Sequence, residues 1–292
     1  MCNFVLLMKI PTMTTLVILI TGASSGIGYE AARMLAEQGH KVYGAARRTE
    51  RMAPLHQYGV TPLALDVTDD ASAQEAVNTV IEQEGRIDVL VNNAGYGELG
   101  PVETTSLENA QRQLDVNVLG LARMTKLVLP HMRNQHSGRI VNVASIAGRL
   151  TFPFAGWYNV SKYAVESLSD ATRMEVRPYG IDVTIIEPGG VYSNWGIIAA
   201  QQLHNAADGT AYAEKAGRVA GVFDMMYRRN PHNLMTSATK AAKHVCKAAT
   251  ARRPKTRYAF GVGNASMRWL HTILPDRWFD ALISWLFYTF GK

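Results

Sequence analysis

The chain has 292 residues, of which 47% are hydrophobic and 18% charged, so a disordered protein is excluded and a sizeable core is expected. Its two cysteines, Cys2 and Cys246, are too few and too far apart for a disulfide framework, which predicts a cytoplasmic protein. The net charge of +6 is uneven, because residues 215–292 hold fourteen Lys or Arg against three Asp or Glu. This basic region suits a solvated surface, an acidic substrate or an anionic lipid; no nucleic-acid-binding module accompanies it.

Residues 1–12 precede the first predicted strand. They are interpreted as an N-terminal extension, or as the product of an upstream start codon with Met13 as the ancestral start. Lys9 and Pro11 interrupt their apolar run and no small-residue cleavage site follows, so a signal peptide is not predicted. No linker, repeat or low-complexity tract divides the remainder, and one domain over residues 13–292 is predicted.

Short runs rich in Val, Ile and Leu alternate with longer amphipathic stretches. Strands covered on both faces are predicted at residues 16–20, 41–46, 61–65, 87–91, 139–144, 182–186 and 256–260. Helices are predicted at residues 26–38, 71–84, 107–133, 157–178 and 237–251, with Thr105 and Glu108 as a capping box before the third. This order predicts an α/β fold of Rossmann type, a doubly wound parallel sheet of about seven strands flanked by helices.

The segment TGASSGIG, residues 21–28, joins the first predicted strand to the first predicted helix. Its glycines allow a pyrophosphate to approach the backbone, and the first N–H groups of the helix are unpaired donors at the positive end of the helix dipole. The spacing of Gly22, Gly26 and Gly28 differs from the G-x-G-x-x-G fingerprint. The segment indicates a nucleotide site, although an ordinary strand-to-helix turn has the same composition.

The end of the second predicted strand bears on the type of nucleotide. Sites for NAD place an acidic residue there to bind the ribose 2′-hydroxyl, but this chain has Ala46 followed by Arg47 and Arg48. A guanidinium forms charge-assisted hydrogen bonds with a 2′-phosphate, whereas a carboxylate repels it. The strand end therefore favours NADP(H) over NAD(H), unless both arginines are only solvated surface residues.

A tyrosine and a lysine share one face of the fourth predicted helix. Tyr158 and Lys162 are four residues apart, so the lysine charge is expected to lower the pKa of the phenol. Ser145 ends a predicted strand, where α/β folds bind ligands, and its hydroxyl can bond a substrate oxygen. Taken singly, each residue also has an ordinary explanation as a surface lysine or a turn-forming serine.

Taken together, these segments resemble the short-chain dehydrogenase/reductase family, in its single-domain subgroup. The resemblance runs from Thr21 to Ser193. Its motifs, in family order and spacing, are TGASSGIG (21–28), LDV (65–67), NNAG (92–95), Asn117 in LDVNVLG, Ser145, YNVSK (158–162) and PGGVYS (188–193).

The resemblance implies a role for each catalytic residue. Tyr158 is the general acid in carbonyl reduction and the base in alcohol oxidation, and Lys162 also binds the nicotinamide ribose. Ser145 polarises the substrate oxygen, and Asn117 holds a water molecule that links Lys162 to solvent. The implied cofactor-binding residues are Gly22, Ser24, Ser25, Gly26, Ile27, Gly28, Arg47, Asp66, Val67, Asn93, Ala94, Gly95, Tyr158, Lys162, Pro188, Gly189, Val191 and Ser193.

Two positions depart from the family pattern. Ser25 stands where a basic residue often helps to bind the 2′-phosphate, so the NADP preference depends on Arg47 alone. Ser193 stands where the family often has threonine. The implied activity is hydride transfer between nicotinamide C4 and a carbonyl or secondary alcohol. The alternatives are a non-catalytic nucleotide-sensing regulator on the same fold and an epimerase or dehydratase. No metal site is predicted.

Residues 192–235 are expected to form a substrate lid. Its aromatic and methionine side chains suit a bulky apolar substrate, such as a steroid, retinoid or long-chain carbonyl compound, or else form a small core of the lid itself. A helix over residues 276–290 is apolar on nearly every side but too short to span a bilayer. It is predicted to pack on the lid, on a partner subunit of a homodimer or tetramer, or at a membrane interface.

Overall fold

The computed structural model describes residues 15–229 and 235–290. The extension predicted at residues 1–12, the ends of the predicted domain at residues 13–14 and 291–292, and residues 230–234 of the predicted lid lie outside these ranges. Within them, none of the helices is long and apolar enough to cross a membrane.

The seven predicted strands are confirmed, with ends that shift by at most two residues, and a short parallel ribbon accompanies them. The strands are β1 (Val17–Thr21), β2 (Lys41–Ala46), β3 (Val60–Ala64), β4 (Val89–Asn92), β5 (Gly138–Val143), β6 (Ile181–Pro188), β7 (Val191–Tyr192), β8 (Thr236–Ser237) and β9 (Arg257–Phe260). The main sheet is parallel in the order β3-β2-β1-β4-β5-β6-β9, and β7 pairs with β8. The predicted doubly wound sheet is therefore correct.

Helices cover both faces of this sheet. They are α1 (Gly26–Glu37), α2 (Asp70–Glu84), α3 (Leu107–Leu114), α4 (Gly120–Asn134), α5 (Gly156–Val176), α6 (Asn194–Ala207), α7 (Ala213–Asp224), α8 (Ala238–Thr250), α9 (Asn264–Ile273) and α10 (Asp276–Phe290). Helices α1 and α8 pack on one face of the sheet, and α2 and α4 pack on the other. Each fully buried leucine or isoleucine of these layers contributes about 1.5–3 kcal/mol of hydrophobic stabilisation.

The helix predicted at residues 107–133 is present and contains a π-helical turn. Helical backbone runs from Leu107 to Asn134, and the turn at Asp115–Leu119 lies between α3 and α4, as often happens where a helix passes a functional site. The predicted capping box is also wrong. Ser106 Oγ accepts the N–H of Asn109 at 3.2 Å, whereas the Thr105 hydroxyl donates to the Pro101 carbonyl at 2.8 Å. Since Thr105 already bonds backward, the cap moves to the next residue.

The lid contains its own core, and the C-terminal helix packs on it. Small side chains such as Ala199 and Ala216 interlock with Leu203 and Val219 between α6 and α7. The ring of Phe287, on α10, lies 5.7 Å from Phe152 and 6.1 Å from Phe223 of α7, measured between ring centroids. Of the three predicted positions for the last helix, packing on the lid is the one observed.

The carboxyl ends of the central strands meet at one edge of the sheet. Gly22 follows β1, Asn93 follows β4, Ser145 lies two residues beyond β5, and Pro188 ends β6. Strand β1 lies between β2 and β4, so the chain order reverses direction there. Ligands of doubly wound sheets bind outside the strand ends at such a reversal.

Candidate active site

The glycine-rich turn presents an uncapped helix N-terminus. Ser25 is the N-cap of α1, but its side chain makes no capping hydrogen bond, and the first turn contains no acidic residue. Gly26 has a φ of +61°, and a Cβ built on it would meet nothing within 4 Å. Free N–H groups, open space and the positive end of the helix dipole fit the pyrophosphate of a dinucleotide.

Hydrogen bonds from the next strand fix this turn in place. Thr21 Oγ1 accepts the N–H groups of Asn93 and Ala94, each at 3.0 Å. The Asn93 side chain donates to the carbonyls of Thr21 and Gly22 at 3.1 and 3.2 Å. Asn93 thus joins two strand ends, a structural contribution that the sequence did not indicate. Gly28 lies so close to this junction that a Cβ there would be 2.7 Å from the Gly22 oxygen.

The adenosine end of the expected cofactor site contains both negatively and positively charged side chains. The Asp66 side chain accepts hydrogen bonds from the Thr68 N–H and hydroxyl at 2.9 and 2.7 Å. Burial works to raise the pKa of Asp66, but these hydrogen bonds and the charges of Arg47 and Arg123 lower it. Val67 is buried beside Asp66, and Arg47 is exposed. The guanidinium of Arg47 therefore faces the predicted adenosine region from solvent.

Ser145 and Tyr158 meet at the end of β5. Ser145 begins a short 3₁₀ turn, Ile146–Gly148, and its Oγ accepts the N–H of Ala147 at 3.1 Å. The same side chain lies near the hydroxyl of Tyr158, near the start of α5, and acts to lower the pKa of that phenol. Burial nevertheless raises the pKa of Tyr158 to about 12, so the effect of Ser145 opposes it only in part. The phenol is consequently protonated at neutral pH.

Lys162 lies one turn further along α5. Its Nζ is 5.9 Å from the Tyr158 ring centroid and donates to the Val143 carbonyl at 3.0 Å. Burial lowers the pKa of Lys162 to about 8, while the charge of Glu166 raises it. The predicted lowering of the Tyr158 pKa is wrong for this arrangement, because burial of the phenol outweighs the charge of the ammonium, which is bonded to the Val143 carbonyl.

The π-helical turn carries Asn117 toward the same site. Its side chain accepts the Tyr96 N–H at 2.9 Å and donates to the Tyr96 carbonyl at 2.8 Å and to Ser161 Oγ at 3.0 Å. Asn117 therefore joins the loop after β4, which contains Gly95, to α5. The predicted water relay through Asn117 stays a prediction. Ser161 was missed because its position within YNVSK gave no sign of a partner 44 residues away.

The loop after β6 completes the edge. Pro188 is buried, and the Gly189 N–H donates to the Phe260 carbonyl at 2.8 Å. Val191 belongs to β7, and Ser193 caps α6 by accepting the Trp195 N–H at 3.3 Å. The loop therefore starts on the sheet and ends on the lid, at the helix whose Trp195 ring contacts Tyr158.

An aromatic side chain of the lid covers the reactive phenol. The ring of Trp195, on α6, lies 5.3 Å from the Tyr158 ring and 6.1 Å from the Tyr227 ring. Tyr227 is buried, and burial raises its pKa. Trp195 also packs against the lid core that contains Leu203 and Val219, so one side chain serves both the core and the site. The sequence offered these two roles only as alternatives.

Known proteins resemble this chain over most of its length. Residues 16–202 match the family model described as short chain dehydrogenase. The probable short-chain type dehydrogenase/reductase VdlC of Helicobacter pylori is 35% identical, over 90% of this chain and 94% of that protein. The 3-ketodihydrosphingosine reductase of Bacteroides thetaiotaomicron is 37% identical, over 84% and 87%. Estradiol 17-beta-dehydrogenase 1 of Rattus norvegicus is 41% identical, over 62% and 56%.

Solved structures share the fold. A short-chain dehydrogenase from Streptomyces avermitilis superposes with a TM-score of 0.76 at 32% identity, covering 94% of this chain and 97% of that one. A serine dehydrogenase complexed with NADP+ gives a TM-score of 0.70 at 27% identity, over 84% and 94%. A short-chain dehydrogenase/reductase from Burkholderia phymatum complexed with NAD gives 0.75 at 26%, over 89% and 94%. Similar structures therefore bind either nicotinamide cofactor.

Proposed function

Because this chain belongs to the short-chain dehydrogenase/reductase family of oxidoreductase enzymes, we propose that it transfers a hydride between C4 of NADP(H) and a carbonyl or secondary alcohol of a bulky apolar substrate. The observation that carries this proposal is the closeness of the Ser145 side chain to the Tyr158 hydroxyl, with the Lys162 ammonium 5.9 Å from the phenol ring. A proton donor, a polar orienting group and a cation lie together where the sheet binds ligands.

The cofactor supplies the hydride, and the side chains supply alignment and the proton. Ser145 orients the substrate oxygen through its hydroxyl. Tyr158, whose pKa burial raises to about 12, holds the proton that this oxygen receives. The phenolate left after transfer is stabilised by the Lys162 charge, which is mostly present at neutral pH because the pKa of Lys162 is about 8. A phenol protonated at neutral pH favours carbonyl reduction.

NADP(H) is the proposed cofactor. Support comes from the exposed Arg47 near Asp66 and from the absence of an acidic side chain at Ala46, where a carboxylate would repel a 2′-phosphate. The pyrophosphate is assigned to the first turn of α1, at Gly22, Ser24, Ser25, Gly26, Ile27 and Gly28. The adenine is assigned to Asp66 and Val67. The nicotinamide half is assigned to Asn93, Ala94, Gly95, Tyr158, Lys162, Pro188, Gly189, Val191 and Ser193.

Replacing Arg47 with alanine is expected to weaken NADPH binding about tenfold to a hundredfold, because a hydrogen bond between charged groups is worth about 1.5–3 kcal/mol. NADH, which lacks the 2′-phosphate, should bind almost as before. Titration of both cofactors by fluorescence or calorimetry measures the difference. Arg48→Ala is the matched control, since Arg48 is equally exposed one residue further on. Equal losses for NADPH and NADH would remove the 2′-phosphate contact from the proposal.

A bulky apolar substrate is proposed because Trp195 and Tyr227 lie above Tyr158. The named substrates of two relatives, a ketosphinganine and an estradiol, are also large and apolar. A panel of long-chain ketones, steroids, retinal and sugars, followed by NADPH absorbance, tests the proposal. We expect turnover with the first three classes and little with sugars. Preference for sugars would overturn the substrate class, and failure of every carbonyl would overturn the reductase activity.

Two alternatives are weaker. A nucleotide-sensing regulator would not need Ser145 close to Tyr158 or the buried Lys162. An epimerase or dehydratase of the extended branch of the family is disfavoured by the spacing of Gly22, Gly26 and Gly28. NADPH binding without turnover of any carbonyl or alcohol would favour the regulator.

A homo-oligomer is also proposed. Val160, Tyr163 and Met174 lie on one side of α5 and are 39–68% exposed, as is suitable for packing against a second copy. Sedimentation velocity would measure the mass of the particle. The predicted cytoplasmic location stays a prediction.

Peripheral membrane contact is proposed through α9 and α10. Trp269, Trp278 and Trp285 are 55–70% exposed, and tryptophan side chains favour the membrane interface. Joint Trp278→Ser and Trp285→Ser substitutions are expected to reduce co-sedimentation with anionic liposomes. Replacing the exposed Leu107, which is distant from α10 in the chain, with serine is the control. Equal sedimentation of all three proteins would contradict the contact.

A further inference from the structure

A buried ionic cluster lies behind Lys162. Arg257, on β9, places its Nε 3.1 Å from Glu166 Oε2 and 3.0 Å from Glu187 Oε1, and its Nη2 2.5 Å from Asp170 Oδ2. Arg268, on α9, places Nη1 2.6 Å from Glu187 Oε2. With Arg173, which contacts Asp170, the cluster joins three carboxyl groups with three guanidinium groups. Glu166 and Glu187 are 4% and 0% exposed, so these two carboxyl groups have little access to water.

The three carboxyl groups are unequally supported. Glu187 has a guanidinium nitrogen near each of its oxygens, although its Oε1 accepts no hydrogen bond from the described residues. Asp170 is more exposed and contacts both Arg257 and Arg173. Glu166 shares the Nε of Arg257 through one oxygen, and its Oε1 has no hydrogen-bond partner among the described residues. A buried carboxylate with so little support favours its neutral form. Of the three groups, Glu166 is the one best placed to hold a proton.

Glu166 also contacts the catalytic elements. It follows Lys162 by one turn of α5, and its charge acts on that ammonium. Its stem packs against Gly148, where an added Cβ would lie 3.0 Å from Glu166 Cγ. Gly148 ends the short turn that Ser145 begins. Glu187 directly precedes Pro188, the first residue of the loop assigned to the nicotinamide. The cluster is thus linked to Lys162 along α5, to the turn of Ser145 through Gly148, and to Pro188 through the adjacent Glu187.

We propose that Glu166 is a positioning residue for the reaction, a buried carboxyl group that gains and loses a proton and thereby sets the charge of Lys162. This inference rests on the proposed function of Lys162. When Glu166 is ionised, its negative charge stabilises the ammonium; when it is neutral, the ammonium loses that support. Glu166 touches neither the substrate oxygen nor the phenol, and acts only through Lys162.

The surrounding charges agree with this assignment. Burial raises the pKa of Glu166 to about 7, and the charge of Glu187 adds to this rise, while Arg257 and Arg149 oppose it. On its own helix, Glu166 lies between Lys162 and Asp170, one turn to each side. Glu166 consequently changes charge just below the pH at which Lys162, with a pKa of about 8, loses its own.

Substitution Glu166→Gln tests the proposal, because glutamine keeps the shape of the neutral acid but cannot ionise. We expect the alkaline limb of the pH profile of kcat/KM for a carbonyl, at saturating NADPH, to move to lower pH by about half to one unit. The direction follows because the ammonium loses a negative neighbour that raises its pKa. Glu166→Asp should return the limb toward that of the unchanged enzyme. Glu175→Gln, exposed on the same helix, should leave it in place.

An unmoved limb in Glu166→Gln, or an equal movement in Glu175→Gln, would overturn the proposal. So would equal movement in Glu166→Asp, because both variants would then act through packing. A second measurement needs no substitution and no activity: infrared spectroscopy of the full chain should show a buried carboxylic acid that ionises near pH 7. Absence of that transition would also overturn the inference. If the unchanged protein reduces no carbonyl at all, the proposed function has failed, whereas the infrared result still decides whether Glu166 titrates.

Discussion

Turnover of the Tyr158→Phe protein is expected to be about 10²–10⁴-fold lower than that of the unchanged enzyme, with NADPH affinity nearly the same. Phenylalanine keeps the ring against Trp195 but removes the hydroxyl that lies near Ser145. The developing alkoxide of the substrate then has no proton donor. Single-turnover measurement of NADPH oxidation, together with calorimetric titration of NADPH, separates loss of chemistry from loss of binding.

Tyr163→Phe is the matched control, because Tyr163 follows on the same helix and is 39% exposed on its outer side. It should retain full turnover. Comparable turnover in Tyr158→Phe would remove the phenol from catalysis, and a parallel loss of NADPH affinity would show that the hydroxyl serves binding instead. The solvent isotope effect on single turnover should also be smaller for the residual activity of Tyr158→Phe than for the unchanged enzyme, since the proton no longer comes from the phenol.

Gly28→Ala is expected to destabilise the fold by about 1–3 kcal/mol and to abolish measurable cofactor binding. A Cβ at position 28 would lie 2.4 Å from Asn93 Nδ2 and 2.7 Å from the Gly22 oxygen. The side-chain amide can turn away, but the Gly22 carbonyl belongs to the turn itself, so the turn or the helix must move. Either movement displaces the uncapped N–H groups of α1 from the phosphate position.

The control for Gly28→Ala is a glycine-to-alanine substitution that is expected to stabilise the protein instead of destabilising it. Gly217 also lies within a helix, α7, but a Cβ there would meet nothing within 4 Å. Gly217→Ala should therefore stabilise the protein by up to about 1 kcal/mol, because alanine is the better helix former. Urea unfolding measures both free energies of unfolding. Equal changes in the two variants would show that contact with Gly22 does not limit position 28.

Local patterns were sufficient for the sheet and for the residues at its edge. The runs around Ile18 and Leu90 are apolar without alternation, as doubly covered strands require, and Gly22, Ser145 and Pro188 follow strands in the expected order. Motif spacing then assigned Tyr158 and Lys162 to one helix face. These features depend on residues near each other in the chain, so one sequence was enough to predict them.

The features that were missed depend on distant contacts. The π-helical turn at Asn117 is fixed by Tyr96 and Ser161, which no local periodicity reports. The high pKa of Tyr158 results from burial by the lid, which was predicted without its packing. The contacts of Trp195 with both the lid core and Tyr158, and the cluster around Glu166, likewise depend on how β9, α9 and α6 pack against the remainder of the fold. These are tertiary contacts between elements that are distant in the chain, so local sequence patterns do not predict them.

The contact of α10 with two parts of the molecule links the end of the chain to the substrate. Phe287 packs against Phe152, six residues before Tyr158, and against Phe223 of the lid. A lid displacement that separates Phe223 from Phe152 must therefore break one of these ring contacts. Ligand binding at the site and docking of α10 are two equilibria, and coupling between two equilibria is reciprocal. A ligand that binds more tightly when α10 is docked must therefore strengthen the docking of α10 by the same factor. If substrate affinity depends on docking of α10, a surface that engages this helix changes that affinity as well.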